Sequence, residues 1–490
     1  MSFHISPVVR RRAFLSCATM PLCRSMHLMS LNTPRRYGQP TAFTHPHLLK
    51  PNEITPGIST QEYESRRASL MDGLPDNSVV VSVAAGVKFA SQNIFYKFRQ
   101  SSDFLYLTGL LEPESAVILE KRTSGRGYHM SLFLRERDPK KELWDGPLTG
   151  VESAASLFGA DDSRDIEYFP SHLKSISSSA SFIYIDVPKK ISARRRSFLR
   201  YLTESSFQPP IDFLPASKVK SLSHELHELR RIKSKAELEL MRNAASISGS
   251  AHAKTMRFTA ADLSESALAA HFEYLCALKG SERPAYVPVV ASGANALVIH
   301  YTSNDQILLP GDLVLMDAGC EFSGYASDIR TFTPQQKELY QAVLNTLKQI
   351  TPFATATSGH TLSSLHQASR EVLYTELRNI GFKISLRDVD RLYPHFLSHP
   401  IGMDLHESNV DRRSQPLMAG MVITIEPGVY VPPDPAYPKH FHNIGIRLED
   451  EVLVHQEHSE VLTVNAPKEI VDVEGACQGL LDFTPYWQKQ

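Results

Sequence analysis

The chain has 490 residues, 42% hydrophobic and 21% charged, an ordinary globular composition long enough for about two or three domains. Lys and Arg number 52 against 53 Asp and Glu, a formal net charge of -1, which gives no electrostatic reason to expect a nucleic-acid partner. No apolar run approaches the roughly 18 residues that span a bilayer. The 5 cysteines lack CxxC spacing and read as reduced thiols in a non-oxidising compartment.

The N-terminus differs from the rest. No Asp or Glu precedes Glu53, and Arg10, Arg11, Arg12, Arg24, Arg35 and Arg36 stand among Ser, Thr and small apolar residues. That composition predicts a mitochondrial transit peptide over 1–36. Pro40, Pro46, Pro51 and Pro56 then predict an irregular arm over 37–58. Tyr63–Met71 suits a short helix. Ser78–Ala85, Phe104–Thr108, Ala116–Leu119, His129–Phe133 and Phe182–Asp186 read as strands, with helical segments at 150–158 and 193–204. Strands alternating with helices predict an α/β domain over 59–215. Arg99 and Asp103 are read there as structural residues.

Leu222–Arg257 predicts a long helix opening near Ser234, which precedes Glu237 with the spacing of a capping box. Further amphipathic helices are expected at 264–278, 336–350 and 362–380, and strands at 287–291, 313–317, 422–425, 444–448 and 451–454. This is an α+β pattern over 222–470, helices covering a curved, mainly antiparallel sheet, with 471–490 as a C-terminal tail.

The chemistry-bearing residues lie in this second half. Leu313-Val314-Leu315-Met316 delivers Asp317 at the end of an apolar run, and Asp328 returns after a turn bearing Gly319 and Gly324. His399 follows Leu397-Ser398, Glu426 ends MVITIE, and Glu449 ends GIRLE. Carboxylates brought together at buried strand ends cost free energy unless a cation lies between them. Carboxylates with one imidazole suit one or two divalent ions, which activate water and polarise a carbonyl.

The motifs VASGANALVIHYTSND, LVLMDAGCEFSGYASDIRT, PHFLSHPIGMDLHE, MVITIEPGVYV and GIRLEDEVLV resemble, in order, those of the metal-dependent "pita-bread" peptidases. FRQSSDFLYLTGLLEPESAVIL is similar to the N-terminal domain of aminopeptidase P. The arm GQPTAFTHPHLLKPNEITPGIS is similar to the mitochondrial branch of aminopeptidase P3 and intermediate cleaving peptidases.

The resemblance implies that Asp317, Asp328, His399, Glu426 and Glu449 bind two Mn²⁺ ions. It places His300 by the scissile bond and has His395 and His406 orient substrate and move protons. Arg447 would support this network, and Glu426 would also take the proton from a bridging water, whose hydroxide attacks the first peptide carbonyl. The implied enzyme releases one N-terminal residue from peptides or mitochondrial precursor proteins, in the matrix or at the matrix side of the inner membrane. The preferred substrate carries either proline second or a bulky first residue. A prolidase-like dipeptidase, a catalytically weakened binding protein and a homo-oligomer stay open.

One departure stands out: the family's Asp-Ile-Thr-Arg-Thr is here Asp328-Ile329-Arg330-Thr331, without the first Thr and the strand residues that follow. Loss of a residue that orients a ligating carboxylate is expected to cost about 10–100-fold in affinity or activity.

Overall fold

The computed structural model describes residues 37–123, 125–185, 213–323, 334–407 and 412–480. All of them fall in one compact unit of the chain. The expected helix at 193–204, Asp186, Asp328 and the shortened segment after Asp328 lie outside the described residues.

The first half is built on a mixed sheet. Its strands are β1 (Ser78–Val83), β2 (Ala116–Lys121), β3 (Tyr128–Leu134), β4 (Asp162–Asp165), β5 (Phe182–Ile185) and β6 (Val219–Lys220), in the order β6-β5-β1-β2-β3-β4. The period-two alternation of β1 sends Val79 and Val81 to one face and Val80 to the other, and both faces are buried. One face packs on Phe169 and Leu173 of helix Phe169–Ser179. The other joins Leu70 and Met71 of helix α1 (Thr60–Gly73) and Phe104 and Leu107 of helix α2 (Ser102–Thr108).

Helix α2 corrects the strand expected at Phe104–Thr108. A short apolar run does not separate a strand from a buried helix by periodicity. Here the flanks decide: Gly109 ends the helix in the left-handed region at φ 70, and Thr108 Oγ1 bonds back to the Phe104 carbonyl at 2.7 Å. The arm does carry the short strand pair Glu53–Thr55 and Ile58–Ser59, and is otherwise turns.

The second half opens with α3 (Leu222–Arg231) and α4 (Lys235–Phe258), the latter started by the Ser234–Glu237 capping box. Helices α5 (Glu265–Leu278), α6 (Pro334–Ile350), α7 (Leu362–Asn379) and α8 (Leu386–Leu392) follow. The strands are β7 (Val289–Ser292), β8 (Val314–Asp317), β9 (Val422–Ile425), β10 (Gly428–Val431), β11 (Ile444–Arg447), β12 (Asp450–Val454) and β13 (Ser459–Val461). Every pairing among them is antiparallel: β7 with β8, β9 with β12, β12 with β13, β10 with β11. Leu339, Leu344 and Leu347 of α6 and Leu373 and Leu377 of α7 close over Ile423, Ile425, Val429 and Ile446. The segment 471–490, expected as a tail, begins within a helix, Ile470–Gln478, because Val473 and Ala476 pack on Met256 of α4.

Among the described residues, no helix is long and apolar enough to cross a membrane.

Candidate metal centre

His300, Asp317, His395, His399, His406, Glu426, Arg447 and Glu449 all line one open cavity of about 520 Å³. Antiparallel pairing brings them there from distant parts of the chain. Asp317 ends β8, Glu426 and Glu449 follow the last residues of β9 and β11, and His399 is bonded to the edge of β9. The Thr424 amide donates to the His399 carbonyl at 2.9 Å, and the His399 amide to Thr424 Oγ1 at 3.0 Å.

His399, Glu426 and Glu449 converge most tightly: one ligand atom from each lies within 4.8 Å of the others. His399 Nδ1 lies 3.2 Å from the Pro400 carbonyl, which fixes the proton on Nδ1 and turns the Nε2 lone pair inward, 3.5 Å from Glu426 Oε1. Burial, with help from His406, lowers the His399 pKa to about 4, so the ring is neutral at pH 7. A neutral imidazole nitrogen and two carboxylates in a half-buried cavity are a donor set suited to a divalent ion, and the residues fit one. Asp317 faces the same cavity with its Oδ2 paired to Arg447.

The Asp317 pair belongs to a relay that includes a residue missed in the sequence. Arg447 Nη1 donates to Tyr430 Oη at 2.7 Å, and Tyr430 Oη lies 3.1 Å from His395 Nε2. His395 Nδ1 is 3.0 Å from the Phe396 carbonyl, so Nδ1 carries the proton and Nε2 accepts from Tyr430. Burial and then Arg447 lower the His395 pKa to about 3, in keeping with a ring that accepts. The signal for Tyr430 was its place in β10, but Pro427-Gly428 reads as the end of a strand rather than the start of the next.

The exposed His300 sits on a loop organised by Glu265, the buried first residue of α5. Glu265 accepts from the Ser292 amide and hydroxyl at 2.7 Å each, from Tyr301 Oη at 2.9 Å, and from the Gln306 amide at 3.0 Å. In the same cavity, His399 and His406 meet edge to face with ring centroids 4.2 Å apart.

His366 on α7 supports the backbone beside the centre. Its Nδ1 accepts from the Leu397 amide at 3.2 Å, and burial lowers its pKa to about 4. A folded-state pKa below the unfolded value of about 6.5 means that the unfolded chain binds the proton first. Stability from this group is therefore full above about pH 6.5 and is lost as pH falls towards 4. Urea melts of the metal-free protein are expected to show this loss, and His366→Gln to reduce its slope.

Fold and site together define a metal-dependent peptidase of the pita-bread class. Residues 239–456 match the family described as metallopeptidase family M24, and residues 63–184 match the aminopeptidase P N-terminal domain. Intermediate cleaving peptidase 55, mitochondrial, of Arabidopsis thaliana is 40% identical over 461 residues, 92% of this chain and 89% of the relative. Human Xaa-Pro aminopeptidase 3 is 36% identical over 471 residues, 91% of each chain. The crystal structure of Icp55 from Saccharomyces cerevisiae, lacking 58 N-terminal residues, superposes with a TM-score of 0.77 at 34% identity, covering 88% of this chain and all 100% of that one. The chain belongs to metallopeptidase family M24. It is a metal-dependent aminopeptidase that removes N-terminal residues.

Proposed function

We propose that the enzyme binds two Mn²⁺ ions and releases one residue at a time from precursor proteins whose new N-terminus carries a bulky residue. The observation that carries the metal reading is the convergence of His399, Glu426 and Glu449 beside Asp317. Asp328 is assigned as the fifth ligand on its motif. Bound there, divalent ions would polarise the scissile carbonyl and bring the pKa of a water towards 7. Glu426 takes the proton of the attacking water and delivers it to the leaving amine. His300 and His406, which line the same cavity, hold the substrate backbone. Arg447 and Tyr430 keep His395 neutral and pointed into the cavity, and Arg447 also fixes Asp317.

The substrate reading draws on the relative in Arabidopsis, whose name places it in the mitochondrion, and on this chain's own arm. Arg35-Arg36-Tyr37 resembles the site that such peptidases trim, with the transit peptide ending at residue 36 and Gly38 the first residue of the trimmed chain. The Gly38 amide donates to Thr149 Oγ1 at 3.3 Å, and a Cβ on Gly38 would fall 2.1 Å from Glu112 Oε1, so any side chain there would have to displace the Glu112 carboxylate. Glu112 is 4% exposed and accepts from the Thr149 amide at 3.0 Å; among the described residues no basic side chain forms an ion pair with it. A chain starting at Gly38 would set its ammonium beside that carboxylate, which supports trimming before Gly38. The domains run 59–215 and 222–470, with activity in the matrix or at the matrix side of the inner membrane.

A panel of peptides starting with Tyr, Leu or Phe, beside Xaa-Pro peptides, tests the reading with Mn²⁺ and with a chelator present. Single-residue release from the bulky set, lost on chelation and restored by Mn²⁺, is expected. Preference for Xaa-Pro peptides would overturn the precursor reading, and release of dipeptide substrates alone would point to a prolidase.

A further inference from the structure

His399 and His406 stand near the two ends of one turn, and the two ends are held by different means. At the His399 end the backbone is tied to β9, through Thr424 and through the Ile401 amide, which donates to the Val422 carbonyl at 3.1 Å. From Met403 to Glu407 the Glu407 amide donates to the Pro400 carbonyl at 3.0 Å, and the rest of the hold is by polar side chains, Arg99 and Ser102 from the other half of the protein and Arg230 and Lys233 from its own. Arg99 Nη2 donates to the Met403 carbonyl at 2.7 Å, and Ser102 Oγ to Asp404 Oδ1 at 2.6 Å. Arg230, at the end of α3, donates to Asp103 Oδ1 and Asp404 Oδ2 at 2.6 Å each and to Glu407 Oε1 at 2.9 Å. Lys233 Nζ holds Glu407 Oε2 at 2.7 Å.

Arg230 is 2% exposed, and Lys233 and Glu407 are buried with it. Burial alone would raise the Glu407 pKa, but Lys233 and Arg230 overcome it and hold the carboxylate below its usual range. A buried ionic cluster of this kind is weak evidence for stability, because apolar packing of the same volume serves as well or better. What the guanidinium fork adds is geometry: it fixes the directions of Asp404 and Glu407, and His406 lies between them.

We propose that Arg230, Arg99, Ser102 and Asp103 form a positioning cluster for His406, through which the N-terminal half holds the catalytic turn in register. The inference rests on the reading of His406 as a substrate-facing residue. These side chains touch neither substrate nor metal ligand. They act through Asp404 and Glu407, the residues that flank His406.

Arg230 is too deeply buried for its loss to be informative by itself, so the test uses Asp404→Asn and Ser102→Ala in the full-length, Mn²⁺-loaded enzyme. The kcat of Asp404→Asn on the best peptide of the panel is expected to fall about tenfold, with KM changed less than about twofold, and Ser102→Ala moves kcat the same way by less. Calorimetric Mn²⁺ affinity of the metal-free variants is expected to stay within about threefold, since β9 holds His399 independently. Added to His406→Ala, Asp404→Asn is expected to cost nothing further. Undiminished kcat in Asp404→Asn, a loss that adds in full to that of His406→Ala, or a fall in Mn²⁺ affinity matching the fall in kcat would each overturn the proposal. If His406→Ala itself keeps full activity, the reading of His406 fails first, an outcome separable from the others.

Discussion

Glu426→Gln is expected to lower kcat by about 10³-fold, equivalent to roughly 4 kcal/mol of transition-state stabilisation. The substitution preserves shape. The Glu426 amide still donates to the Leu397 carbonyl at 2.8 Å, and Thr424 Oγ1, 3.2 Å from Glu426 Oε1, still meets an oxygen. What is lost is one negative charge of the converging set and the base that takes the proton from water. The metal-free protein should therefore be no less stable, because Glu426 and Glu449 share one cavity and removing a charge relieves their repulsion. Stabilisation by Mn²⁺, read as the rise in Tm on adding the ion, should shrink. Steady-state kinetics and paired melts with and without Mn²⁺ measure both effects. Activity within tenfold of wild type would remove Glu426 from the chemistry.

Arg230→Met is expected to destabilise the protein by about 3–5 kcal/mol. The loss removes the cation that Asp103, Asp404 and Glu407 share, while Lys233 still holds Glu407 and Arg99 still lies 3.8 Å from Asp404, and a buried carboxylate that loses its cation costs more than the original ion pair contributed. In urea the midpoint should fall while the slope stays constant, because the surface exposed on unfolding is unchanged. Pairing the substitution with Asp103→Asn and Asp404→Asn should recover part of the loss, since these remove carboxylates that lose the guanidinium while Glu407 keeps Lys233. A shift below about 1 kcal/mol in the single variant would mean that water already solvates the cluster.

Three of the candidate ligands were legible because they end or follow an apolar strand, a pattern that survives without coordinates. Asp317, Glu426 and Glu449 were legible in that way, and the Ser234–Glu237 cap was legible from spacing alone. Tyr430 was not. It lies in a strand that starts at Gly428, within the Pro427-Gly428 pair that ordinarily marks a break. Helix α2 was misread as a strand because Phe104, Tyr106 and Leu107 are all buried, which erases the alternation that separates the two structures.

The charge cluster was the hardest feature to foresee. Arg230 lies 127 residues from Asp103 and 174 from Asp404, and each residue alone has the appearance of a solvated charge on a helix or turn. Arg99, read from the sequence as structural, donates to Glu321 at 2.6 Å and to the turn that carries His406 at 2.7 Å, and Asp103, read the same way, accepts from Arg230 at 2.6 Å. Such clusters are set by the docking of one half on the other, which no local pattern records.

His399, Glu426 and Glu449 are expected to hold the catalytic metal. Crystals soaked in Mn²⁺ and measured at the manganese absorption edge test it directly. An anomalous peak is expected in the cavity within about 2.5 Å of His399 Nε2 and of a carboxylate oxygen from both Glu426 and Glu449. An active crystal whose anomalous density lies away from these three side chains would contradict it.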